Sequence, residues 1–222
     1  MTADEPFASW PLDITNVRQT LDYFASFRRR WNQQTERALL DQFRLDVSRK
    51  TSHLSKGQRT QLALITAICA EPELLVLDEP TSGLDPIVRR EFIQTVIGAF
   101  QEGEPGRRTV FVSTHLISEF EGLIDQFTII EAGRSVLTLN ADAARDRYQR
   151  IYARFSADPG GLDLAGARVL RQQGREVEVV VNGNAADVMA RLRARSPETL
   201  TAESLTLEEI FVTTLEPAGV AA

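Results

Sequence analysis

Apolar residues set the first elements. Val17, Leu21, Phe24 and Phe27 recur at spacings of three and four, and Ala38, Leu39 and Phe43 repeat the pattern after Asn32. This predicts two amphipathic helices early in the chain. From Leu54 onward the pattern alternates between periods. A helix is expected over about Lys56 to Ala70, an apolar strand over Leu74 to Asp78, and a helix opened by Asp85 as its cap with Pro86 in first position. Strand Thr109 to Thr114 follows, then a short helix around Ile117 to Leu123. A hairpin then joins Phe127–Ile130 to Ser135–Leu139 across Ala132 and Gly133. Short apolar strands alternating with helices imply an α/β fold whose parallel sheet is covered on both faces.

After Asn140 the residues shift toward Arg and Ala, and a smaller α+β appendage is expected. Its elements read as a helix near Ala141 to Tyr148, strands Ile151–Phe155, Ala167–Leu170 and Val177–Val181, and a helix Ala185–Arg193. A last helix is announced by Thr206 and Glu209, spaced as a capping box. Arg145, Arg147, Arg150 and Arg154 alternate with Asp142 and Asp146, which reads as a solvated helix face. The division expected is 1–52 helical subdomain, 53–139 core, 140–215 appendage and 216–222 frayed tail.

Charge narrows the partners. The 222 residues hold 25 Lys+Arg against 31 Asp+Glu, a formal charge of -6, which speaks against a nucleic-acid partner bound by charge. The longest apolar run, Leu62 to Ala70, stops well short of the ~20 residues a membrane-spanning helix needs. Met1 to Trp10 lacks the cationic start and apolar run of a secretory signal, so a cytoplasmic chain is expected. Cys69 is the single cysteine and lies in an apolar helical run, which reads as core.

Chemistry concentrates in three places. The Leu74–Leu77 strand ends in Asp78-Glu79-Pro80, two carboxylates at the carboxyl end of a buried strand, where open α/β sheets bind ligands. One can hold Mg²⁺ and the other can orient and deprotonate a water. Leu54-Ser55-Lys56-Gly57-Gln58 opens a helix, a start that turns backbone N–H groups and a positive dipole end toward an anion. The plain alternative is a helix cap alone. Strand Thr109 to Thr114 delivers His115 at its end, where an imidazole can donate to a phosphate oxygen. His53, just before the cap, reads as a surface or capping residue.

Taken in order, Leu54–Gln58, Leu74–Pro80, Ser82–Asp85 and Ser113-Thr114-His115-Leu116 resemble the signature motif, Walker B strand, D-loop and H-loop of the ATP-binding subunits of ABC transporters. The resemblance covers about Asp13 to Leu139, and Thr206–Phe211 resembles the closing helix of exporter-type or ABC-2-type subunits. It implies a partial P-loop NTPase core with a helical subdomain, and ATP and Mg²⁺ as cofactors. Asp78 would hold the metal through water, Glu79 would be the general base and His115 would contact the γ-phosphate. Asp85 would lie at a subunit interface. Ser55, Lys56, Gly57 and Gln58 would act on nucleotide held by the opposite subunit of a head-to-tail dimer. The implied partners are a second ATPase subunit and a membrane permease docking on the helical subdomain, with the chain peripheral at the inner face of the cell membrane.

Two departures qualify the resemblance. The sequence has no G-x-x-x-x-G-K-[ST] loop, its lysines being only Lys50 and Lys56, and Lys56 stands where the family has glycine. Losing about three charge-assisted phosphate contacts removes on the order of 5 to 9 kcal/mol of nucleotide binding, so the chain alone is expected to be inactive. Asp4-Glu5-Pro6-Phe7 resembles the segment just past the family's glutamine loop. The expectation is a start codon set too far downstream, with a truncated gene or a half-domain lending its signature motif to an intact partner as alternatives. A soluble ABC protein without a transport role is the rival function, and a binding module built on the appendage is a third.

Overall fold

The computed structural model describes residues 15–101, 108–162 and 164–215. The Asp4–Phe7 segment and the 216–222 tail lie outside the described residues. The chain forms two compact units, Met1–His115 and Leu116–Ala222.

In the first unit, α1 (Val17–Ser26) and α2 (Gln33–Gln42) form where the periodicity places them. Asn16 opens α1 with a reciprocal capping box to Gln19, and Asn32 opens α2 by accepting from the N–H groups of Gln34 and Thr35. A 3₁₀ turn at Thr51–His53 leads into α3 (Lys56–Ile68), followed by β1 (Leu74–Asp78), α4 (Pro86–Gln101) and β2 (Thr109–Ser113). The core joins Val17 and Leu21 of α1, Leu39 and Leu40 of α2, Ile65 of α3, Leu75 of β1 and Phe92 of α4. Cys69 is fully buried within it, and burial pushes its thiol up to about 12, so it is an inert core group. Two parts of the expected pattern fail. Phe27 is 69% exposed, because α1 ends one residue earlier and its apolar stripe turns out to solvent.

The expected sheet covered on both faces is also corrected. Among the described residues of this unit it consists of β1 and β2 alone, parallel and in register from Leu74↔Thr109 to Asp78↔Ser113. Leu75 points into the core, whereas Leu74, Val76 and Phe111 on the opposite face are 57%, 61% and 58% exposed.

The second unit begins with α5 (Ile117–Phe120) and the antiparallel hairpin β3 (Gln126–Glu131) and β4 (Arg134–Asn140), which turns through Ala132 and Gly133, both at positive φ. Then come α6 (Ala141–Arg147), β5 (Tyr148–Arg154), β6 (Ala167–Gln173), β7 (Glu176–Asn182), α7 (Ala185–Arg193), β8 (Thr199–Ser204) and α8 (Leu207–Leu215). The four later strands make an antiparallel sheet in the order β6-β7-β5-β8. One face packs Ile151, Val177 and Val179 under Val188 and Leu192 of α7. Tyr148 and Val180 pack instead with Ala144 of α6 and Ile210 of α8. Strand β8 is absent from the expected elements: its polar–apolar alternation, Thr199 to Glu203, is short, holds one large apolar residue, Leu200, and is nearly all exposed.

The arginine face is corrected as well. Arg150 lies on β5, not on a helix, and its guanidinium is held by Glu178 at 3.1 Å, Glu203 at 3.5 Å and Glu209 at 2.9 Å. Burial pushes the Glu209 carboxyl up, but hydrogen bonds from the Thr206 backbone and hydroxyl and from Arg150 outweigh it and hold it below its ordinary value. The same Glu209 completes the expected box, accepting at 2.8 Å from the Thr206 N–H while Thr206 Oγ1 accepts from the Glu209 N–H. Asn140 bridges hairpin and sheet by capping α6, its Oδ1 accepting from Asp142 N–H at 3.0 Å and Ala143 N–H at 3.3 Å. Asn140→Ala is expected to cost about 1 kcal/mol in urea unfolding.

Candidate functional site

The end of the β1–β2 pair is where the acidic residues meet. The parallel register sets Asp78 beside Ser113, and the ladder extends one step further as Glu79 N–H donates to Ser113 O at 2.9 Å. Ser113 Oγ donates a short hydrogen bond to Asp78 Oδ1. Strand β1 then breaks, with Glu79 at φ +44, a left-handed conformation that costs a non-glycine residue on the order of 1 kcal/mol. The break turns the Glu79 carboxylate toward the end of β2. There Glu79 Oε1 accepts the His115 backbone N–H at 3.1 Å, and Oε2 lies 2.8 Å from His115 Nδ1. Glu79 and His115 are thus one hydrogen-bonded unit, and Asp78 is the residue before it. His115 remains 66% exposed at its side chain and Glu79 40%, so the pair faces solvent and a ligand can reach it.

The ring nitrogens differ in what they offer. A carboxylate can only accept, so Nδ1 carries the proton toward Glu79, and the neutral ring leaves Nε2 as an acceptor. Donation from Nε2 to an anion requires the doubly protonated ring or release of the Glu79 contact.

The helix start at Ser55 is locally self-sufficient. Ser55 Oγ accepts from Gln58 N–H at 3.2 Å, and Gln58 Oε1 accepts from Ser55 N–H at 3.1 Å. These side chains therefore form a capping box, and they frame the N-terminal end of a helix of 13 residues. Gly57 packs closely against α4, where a Cβ would lie 3.2 Å from Val88 Cγ1 and push that side chain aside by a few tenths of an ångström. Lys56 reaches over the turn that follows Pro80, where its Nζ would lie 2.5 Å from a Cβ at Gly83, a residue with φ +69. Asp85 closes that turn as the cap of α4, its Oδ1 accepting from Ile87 N–H and Val88 N–H at 3.1 Å each.

The structure thus brings Asp78, Glu79 and His115 together, and joins Lys56 to the Gly83 turn. Ser113 has no role that the sequence alone assigns. The in-register pairing of β1 with β2 was the signal that could have assigned it to Asp78.

The donor set suits a magnesium ion only in part. Asp78 and the Ser113 hydroxyl are hard oxygen donors, and Mg²⁺ ordinarily takes one or two carboxylates together with phosphates and waters. Among the described residues no group of three or more His, Cys, Asp or Glu side chains is placed to hold a metal by itself. The residues present fit an ion that arrives with phosphates.

The chain is similar in sequence and in fold to known proteins. A family model described as AAA domain, putative AbiEii toxin, Type IV TA system matches residues 28–120. The chain is 22% identical over 213 residues to the ABC transporter ATP-binding protein YtrB of Bacillus subtilis (strain 168), covering 96% of this chain and 70% of that protein. It is 28% identical over 219 residues to the Nod factor export ATP-binding protein I of Rhizobium johnstonii, covering 93% of this chain and 68% of that one. A solved ATP binding subunit of an ABC transporter superposes with a TM-score of 0.51 at 26% identity, over 60% of this chain and 56% of the subunit. The chain spans little more than half the length of that solved subunit.

Proposed function

We propose that this chain, a relative of the ATP-binding proteins of ABC transporters with a partial P-loop NTPase fold, couples ATP hydrolysis to transport through a separate membrane permease. By kinship it is of the ABC ATPase class. The observation that carries the reading is the meeting of Asp78, Glu79 and His115 at one end of a parallel strand pair. Two subunits close head to tail, and this chain offers its Ser55–Gln58 helix start, with Lys56, to nucleotide held by the other. Asp85, capping α4, lies at that subunit interface.

Each residue has a stated task. Asp78, oriented by Ser113, holds Mg²⁺, which when bound neutralises charge on the phosphates. Glu79 accepts the proton of the attacking water, and the His115 N–H fixes the carboxylate that does so. The His115 ring exchanges Glu79 for the γ-phosphate as nucleotide arrives. The helical subdomain receives the permease, and the chain sits peripherally at the inner face of the membrane, although no helix among the described residues is long and apolar enough to cross it.

The sequence holds no G-x-x-x-x-G-K-[ST] loop, so the phosphate cradle is not supplied by these 222 residues. A fluorescent ATP analogue titrated into the isolated chain is expected to show no saturation in the micromolar range. The chain assembled with its second subunit and permease is expected to release phosphate from ATP, and Ser55→Arg is expected to abolish that release. Micromolar saturation by the isolated chain, or turnover by the complex unchanged in Ser55→Arg, sinks the reading.

A further inference from the structure

The outer end of α1 carries a feature that the nucleotide site leaves unexplained. Tyr23 and Phe27 are 49% and 69% exposed, with ring centroids 4.9 Å apart in an edge-to-face pair, and Phe24 meets Tyr23 at 5.6 Å. The three following residues, Arg28, Arg29 and Arg30, are exposed and make no ion pair among the described residues. Three adjacent cations beside bare aromatic rings stand out in a chain whose formal charge is -6.

We propose that this tip, Tyr23 to Arg30, is a membrane-contact site that seats on the headgroups of an anionic bilayer. The Tyr23 hydroxyl suits the depth of lipid headgroups, the Phe27 ring adds apolar surface that dips beneath it, and neighbouring cations are drawn to acidic lipids. The geometry favours a plane over a strand. Binding a single nucleic-acid strand calls for a charged groove with successive stacking platforms, whereas here two rings pair with each other at a helix end. The net negative charge elsewhere opposes any wide anionic contact, so attraction is confined to the tip and orients the molecule. The inference stands apart from the ATPase reading, since it needs no nucleotide.

Cosedimentation with vesicles tests it. The full chain is expected to pellet with phosphatidylcholine vesicles doped with phosphatidylglycerol, to stay in solution with phosphatidylcholine alone, and to be released by high salt. The triple variant Arg28→Glu, Arg29→Glu, Arg30→Glu is expected to bind on the order of 100-fold more weakly. A control of equal net charge, Arg134→Glu, Arg175→Glu, Arg193→Glu, should bind far better than that variant. Because all these side chains are exposed, both triples are expected to keep the wild-type unfolding midpoint. Equal weakening by both triples overturns the proposal by reducing it to bulk charge. So does an absence of binding to anionic vesicles, or an oligonucleotide that displaces the chain from them at stoichiometric amounts.

Discussion

Replacing Glu36 with alanine is expected to destabilise the first unit by about 3 kcal/mol, seen as a lower urea midpoint at unchanged slope. Glu36 lies on α2 with only 6% of its side chain exposed. It ties three pieces together, accepting from Arg18 Nη1 of α1 at 2.6 Å, from Arg18 Nη2 at 3.3 Å and from Trp31 Nε1 at 2.6 Å. Removing the carboxylate leaves the indole N–H without that acceptor and strips Arg18 of its buried partner. Arg18 keeps Asp22 at 2.7 Å and is 39% exposed, which holds the cost near the lower end of the range for a broken buried pair. A loss below about 1 kcal/mol would show that the network is ornamental.

The same group fixes a pH dependence. Burial pushes the Glu36 carboxyl up, but hydrogen bonds from Arg18 and Trp31 prevail and hold it below its ordinary value. A carboxyl whose folded value is depressed contributes stability in full above its unfolded value of about 4.3, and that stability is lost as pH falls through the lower folded value. Wild type is therefore expected to lose more stability than Glu36→Gln on acidification below about pH 4.

These examples mark where the sequence is readable. Helices α1, α3 and α4 and strands β1 and β2 follow from periodicity, and the caps at Ser55, Asp85 and Thr206 are local, needing only neighbours three residues away. Glu36 and Arg150 were invisible for the opposite reason. Their partners lie 18 and 59 residues distant, at Arg18 and Glu209, and an isolated Glu or Arg in an amphipathic stretch reads as surface. Strand β8 is hard to read because its alternation is short and rests on Leu200 and Ala202 alone, and pairing with β5 fixes it. At the candidate site, residue types and order were legible, since Asp78, Glu79 and His115 sit at strand ends that a parallel register must bring level. The positive φ of Glu79 was not legible, because the turn that imposes it is held by hydrogen bonds to Ser113 and His115 on another strand.

That turn makes Glu79→Gln the most informative change to the chemistry. In a complex where a phosphate cradle is supplied beside this chain's Asp78 and Glu79, loss of the general base is expected to slow ATP hydrolysis by roughly 10²- to 10⁴-fold. The fold is expected to survive, because the amide oxygen can still accept the His115 N–H that Glu79 Oε1 accepts at 3.1 Å. The amide nitrogen then faces His115 Nδ1 as a donor, where the carboxylate oxygen at 2.8 Å could only accept. The ring responds by moving its proton to Nε2, which becomes a donor toward solvent and toward any phosphate placed there. Nucleotide retention by the complex is therefore expected to be undiminished or tighter while turnover collapses. Nitrogen chemical shifts of His115 should report the tautomer exchange directly. Turnover that persists in Glu79→Gln removes Glu79 as the base, and a collapse of turnover with equal loss of nucleotide shows a binding role instead.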